Sequence, residues 1–117
     1  MRVKSELWIK AYLRHCQGEG ASAVVARRGD RDAGAIYICI NRLDGTLILY
    51  GPAPAGVEGG ETERRWVRCV AADAISDNEA AAYLTRQMKF DSDIWIVEVE
   101  DKAGRHFLGD AVTEGVR

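Results

Sequence analysis

Apolar and polar positions recur along this chain with two different periods, and each change of period marks an element. From Ser5, residues Leu7, Trp8, Ala11, Tyr12 and Cys16 fall at helical spacing, with Lys10, Arg14 and Gln17 on the other side. This predicts an amphipathic helix with Ser5 as N-cap, ended by Gly18 and Gly20. Ala21 to Arg28 reads as a first strand of small and β-branched residues, closed by the charged turn Gly29 to Gly34. Two apolar runs, Ala35 to Ile40 and Thr46 to Tyr50, then flank Asp44-Gly45, a strong local signal for a two-residue β-hairpin. Both runs are apolar on both side-chain parities, so both strands are expected to be covered on both faces.

Beyond Tyr50, two prolines and several glycines predict a long loop from Gly51 to Glu63, and loops of that length in compact domains are usually functional. Arg64 to Ala71 alternates as a fourth strand. Ser76-Asp77-Asn78-Glu79 fits a capping box and starts a second helix with Ala80, Tyr83, Leu84, Gln87 and Met88 on one face, stopped by Phe90 to Asp93. Ile94 to Glu100 predicts a fifth strand with Trp95, Val97 and Val99 on one parity and Glu98 and Glu100 exposed on the other. Residues 1–108 are expected to form one domain and 109–117 a frayed tail. The order α-β-β-β-β-α-β gives an α+β fold with a mainly antiparallel five-stranded sheet and two helices packed on it. Its first four strands form a meander, and the second helix crosses to a fifth strand parallel to the fourth.

Because each short connection reverses direction, the loops sort onto two ends. The start of the first helix, the 29–34 turn, the 51–63 loop and the 90–93 turn share one end, which carries Arg2, Lys4, Arg27, Arg28, Arg31, Arg64, Arg65 and Lys89. A helix N-terminus among arginines is where an anion would bind. The forked donors of Arg28, Arg31, Arg64 and Arg65 suit phosphate or carboxylate, and Trp66 beside them could stack on a ring. The competing reading pairs these arginines with Asp30, Asp32, Glu61, Glu63, Asp91 and Asp93 in a mixed-charge rim and sends Trp66 into the core.

Composition narrows the functional classes. The chain has 117 residues, 47% of them hydrophobic, enough for one core. A net charge of −2 supplies no basic field, which makes nucleic acid an unlikely partner. Cys16, Cys39 and Cys69 are odd in number and set in apolar contexts, as expected of buried thiols in a reducing cytoplasm. The N-terminus lacks an apolar signal core, and no run of eighteen apolar residues occurs, so a cytoplasmic protein with no membrane partner is expected.

No reaction is specified. Glu98 and Glu100 beside Asp101, Lys102 and His106 could be read as a metal site, and the element order is similar to the αβββαβ core of restriction-endonuclease-like proteins. The strands that carry the metal carboxylates in that fold have no acid here. His15 and His106 lie far apart in sequence, no nucleophile sits in a recognisable elbow, and the glycines of the 51–63 loop lack a Lys-Ser/Thr ending. No catalytic residue, metal ligand or cofactor is therefore assigned.

Five segments together carry a family resemblance: VKSELW at Val3 to Trp8, RRGDRDAGAIYICINRLDG at Arg27 to Gly45, YGPAP at Tyr50 to Pro54, RRWVR at Arg64 to Arg68, and FDSDIWIVEVEDKAGRHFL at Phe90 to Leu108. The chain resembles, from about Val3 to Leu108, the small alphaproteobacterial family catalogued as domain of unknown function 1491. The resemblance implies a bacterial cytoplasmic protein of one domain and supplies no catalytic residue, cofactor or partner. The leading functional expectation is a non-enzymatic interaction or regulatory module. The alternative is a protein, an enzyme among its options, that binds a small anion or phosphate ligand at the arginine-rich end under the 51–63 loop. A homodimer that uses an uncovered sheet face or an edge strand is expected, on the ground that two helices could leave one face of the apolar strands uncovered.

Overall fold

The computed structural model describes residues 2–54 and 63–116. Its elements run α1 (Ser5–Gly18), β1 (Ser22–Arg27), β2 (Ile36–Asn41), β3 (Leu47–Pro52), β4 (Trp66–Arg68), α2 (Asp77–Phe90), β5 (Trp95–Glu100), a 3₁₀ turn (Gly109–Ala111) and β6 (Val112–Val116). The fold is α+β, with two helices and a six-stranded mixed sheet in the order β1-β5-β2-β3-β4-β6.

This corrects the five-stranded, mainly antiparallel expectation in two places. First, β5 does not join the edge of a meander. It inserts between β1 and β2, antiparallel to β1 and parallel to β2. Strand directions alternate as expected through β4, and β5 does run the same way as β4, but β1 and β2 are not neighbours. Secondly, residues 112–116, expected to fray, form β6, which runs parallel to β4 as an edge strand.

The hairpin joins β2 and β3 as read, but its loop is longer than two residues. Asn41 faces Leu47, and the Arg42 amide donates to the Thr46 carbonyl at 3.1 Å. Leu43 and Gly45 take φ of 62° and 88°, and the side chains of Asn41 and Asp44 accept from the Leu43 and Thr46 amides. The longer loop follows from those two local hydrogen-bonding side chains.

The parity argument for β2 is realised on both faces. Ile36, Ile38 and Ile40 point to the face covered by α1, where they meet Ile9, Tyr12, Cys16, Trp95, Val97 and Val99. Tyr37 and Cys39 point to the face covered by α2, with Leu49, Ile75, Ala80, Leu84, Ile94 and Ile96. One helix lies on each face, so the premise that both helices cover a single face does not hold. The buried face of α1 is Ser5, Ile9, Tyr12 and Cys16, whereas Leu7 is 59% exposed. At the start of α2 the Ser76-Glu79 capping box forms in full. All three cysteines are buried and none forms a disulfide, and burial pushes the Cys39 thiol up to about 12.

Gly29 and Gly34 close the arginine-bearing end. A Cβ on either would lie 2.2 Å or 2.5 Å from the Asp93 carbonyl oxygen, so the 29–34 turn packs directly on the backbone leading into β5. Asp30 binds that same carbonyl through its amide and accepts from Asp32 and Ala33 through its carboxylate. Gly51 and Pro52, expected in the loop, belong to β3, and residues 55–62 lie outside the described residues.

Candidate functional site

A cleft of about 520 Å³ opens between α1, the start of β4 and the 107–111 segment. Arg64, Arg65 and Trp66 line it, joined by Arg2, Trp8, Tyr12, His15, Phe107 and Asp110. Its floor is aromatic: the Trp8 and Tyr12 rings stack with centroids 5.0 Å apart, and Trp8 meets Trp66 at 4.6 Å. Trp66 itself is 3% exposed and donates from Nε1 to the Ile36 carbonyl at 3.2 Å, which makes it wall rather than free platform.

The arginines divide into two groups. Arg28 and Arg31 are not cleft residues. Both pair with Glu6, at 2.7 Å and 3.5 Å, alongside Lys10 at 3.8 Å, and Arg28 also lies 5.2 Å from the Trp95 ring centroid. The Arg28 hydrogen bond, against the cost of burial, leaves the Glu6 carboxyl below its ordinary value. Both arginines are neutralised by an acid, but it is Glu6 on α1 and not one of the acids the rim reading named.

Arg64 behaves differently. One of its terminal nitrogens donates to the Val3 carbonyl at 2.7 Å and the Ser5 hydroxyl at 3.2 Å, both neutral acceptors, and its buried Nε has no hydrogen-bond partner. Burial, reinforced by the neighbouring charge of Arg2, pulls the Arg64 guanidinium below its ordinary value. Arg2 donates to the Glu63 carbonyl at 3.3 Å, and Arg65 to the Asp110 carbonyl at 3.0 Å.

The N-terminus of α1, anticipated as part of an anion site, is already occupied. The Ser5 and Glu6 amides donate to the carbonyls of Asp32 and Arg31, and the Ser5 hydroxyl donates to the Gly34 carbonyl at 2.7 Å. Lys4, not Ser5, is the N-cap, because Ser5 turns inward as the first helical residue. The Tyr12 hydroxyl donates to the His106 carbonyl at 2.7 Å, and burial pushes its phenol far up, so it stays protonated.

The family described as protein of unknown function (DUF1491) matches residues 3–109. The chain belongs to this family. Among solved DUF1491 structures, a crystal structure from Caulobacter crescentus is 36% identical, covers 97% of this chain and 99% of its own, and superposes with a TM-score of 0.77. An NMR structure of a DUF1491 protein from the same organism is 37% identical, with coverage of 97% and 98% and a TM-score of 0.78. A solution structure from A. tumefaciens is 36% identical, with coverage of 100% and 98% and a TM-score of 0.78. No curated protein matches the chain. Among the described residues of this DUF1491 member, no helix is long and apolar enough to cross a membrane, and no three His, Cys, Asp or Glu side chains gather where they could hold a metal.

Sequence reasoning brought Arg2, Arg64, Arg65 and Trp66 to this end but missed Trp8, Tyr12, His15 and Phe107. Trp8 and Tyr12, four residues apart on α1, did signal an aromatic pair on one helical face. Which part of that pair faced a cleft depended on where β4 would lie.

Proposed function

We propose that the protein is a non-enzymatic cytoplasmic binding module that takes a small anion, phosphate or carboxylate in type, in the cleft between α1 and β4. The observation that carries this reading is the juxtaposition of Arg2 and Arg64. Arg2 lies close enough for its charge to act on Arg64, while the hydrogen bonds the two make to described residues go to neutral oxygens. Such acceptors satisfy donors but do not cancel charge, and a half-buried guanidinium is stabilised most by an anion. Among the described residues, the cleft lining holds Arg2, Arg64 and Arg65 with Glu63 and Asp110. Three buried cysteines that form no disulfide support the cytoplasmic placement.

A thermal-shift series with inorganic phosphate, pyrophosphate and nucleotides tests the reading. At least one is expected to raise the melting temperature of the wild-type protein and not that of Arg64→Met, while Arg28→Ala keeps the response. A flat wild-type response to every anion would remove the proposal.

A further inference from the structure

The opposite side of the sheet carries a second, unrelated feature. Helix α2 covers β2, β3 and the start of β5 but meets β1 only at the Arg27 end, and a groove of about 620 Å³ runs between them, with Val24, Ala26, Leu84, Met88 and Ile96 among its lining. Strand β1 is a sheet edge, and Val24 at its middle is 53% exposed.

The charges of this groove are segregated. At one end, Glu98 and Glu100 are exposed on β5 next to Val24 and Ser22, and make no ion pair among the described residues. At the other end lies Arg27. By strict alternation Arg27 would follow Ala23 and Val25 onto the α1 face. The register shift between Val25 and Arg27 instead sets it against Ile96, on the α2 face. There its guanidinium binds only neutral acceptors, the Met88 sulfur at 3.0 Å and the carbonyls of Ile94 and Arg28 at 3.1 Å.

We propose that this edge is a homodimer interface in which β1 pairs antiparallel with β1 of a second copy about a two-fold axis near Val24. A two-fold interface must be complementary to itself. A groove with Arg27 at one end and Glu98 and Glu100 at the other meets that condition only in the antiparallel sense, which brings each Arg27 to the partner's acidic end. The strands to be bridged are two spacings apart, about 10 Å, within the combined reach of extended arginine and glutamate side chains. Ser22 to Val25 stay in regular register on an edge that no other strand covers, since the bulge is confined to the Arg27 end; the Gln17 side chain, which donates to the Ala23 carbonyl at 3.3 Å, gives way to the partner strand. Val24 of each copy is buried on the axis.

Sedimentation equilibrium on the full chain tests this. The wild-type protein is expected to show twice the 12.9 kDa chain mass at micromolar concentration. Val24→Glu, at an exposed position, is expected to raise the dimer dissociation constant by about tenfold or more, through lost apolar burial and two like charges face to face, with circular dichroism checking that the monomer stays folded although the new carboxylate stands beside Glu98 of its own chain. Arg27→Glu is expected to weaken the dimer, and Arg27→Glu with Glu100→Arg to restore it. A wild-type monomer at all concentrations, a dimer indifferent to Val24→Glu, or a monomer that takes up a basic peptide in the groove would each overturn the proposal.

Discussion

Arg28 donates to the Glu6 carboxylate at 2.7 Å, and this one contact separates the arginines held by the protein's own acid from those that face the cleft. Glu6 holds Lys10 and Arg31 as well. Glu6→Gln is therefore expected to leave three cations crowded without their anion. The variant should melt below wild type, and the gap should narrow as salt screens the repulsion. Melting curves at low and high ionic strength measure this, and a gap independent of salt would contradict it.

Stability should fall in two stages on acidification. Burial depresses His106, whose Nδ1 accepts from the Leu108 amide at 2.9 Å. A histidine depressed in the fold contributes fully above its ordinary 6.5, and that contribution is lost as pH falls from there through the folded value. Glu6, Asp44 and Asp101 are depressed chiefly by hydrogen bonds from Arg28, Thr46 and Arg105. Their contributions are complete above the ordinary carboxylate range and disappear as pH falls through the lowered values. His106→Asn, which keeps an acceptor for Leu108, is expected to remove the first stage only, as read by melting temperature against pH.

Gly29→Ala and Gly34→Ala are each expected to destabilise by about 3 kcal/mol or more, since the added methyl meets the Asp93 backbone and not a yielding side chain. Gly18→Ala is the control. Its Cβ meets nothing within 4 Å at the end of α1, and it should stabilise by up to ~1 kcal/mol. Denaturant titration of the three variants distinguishes close packing from a general glycine effect.

Much of this architecture was legible before any coordinates. The capping box at Ser76 and the apolar pair of strands around Asp44-Gly45 are local patterns, and local patterns fix local structure. The place of β5 was not, because alternation says which faces are buried and not which neighbour lies alongside. A hint was present: Ile94 to Val97 is apolar on both parities, as an interior strand should be, whereas Ser22 and Ala26 of β1 suit an edge. Strand β6, with Thr113, Glu114 and a Gly115 at φ 120°, carries almost no strand signal and depends on β4 for its existence. In the cleft, Arg64 and Arg65 were legible as neighbours of Trp66, but the neutralisation of Arg28 and Arg31 by Glu6 joins residues distant in sequence and had no local sign.

Ser76→Ala is expected to cost about 1 kcal/mol by removing the acceptor for the Glu79 amide. Helix α2 contributes only Ala80 and Leu84 as fully buried residues, so its cap is a larger share of its hold on the sheet than the cap of a deeply buried helix would be. Urea titration should show the loss in the midpoint, with the slope unchanged.

The central insertion of β5 has a consequence for how the chain is made. Strand β1 leaves the ribosome early, yet Ser22 must wait for Glu100 to be translated before it has any neighbour in the sheet. The β2-β3-β4 ladder can assemble from successive segments as they emerge, whereas β1 stays without a strand partner until β5 has been made. Nascent chains stalled before β5 should therefore leave β1 open to protease, and those stalled after it should not.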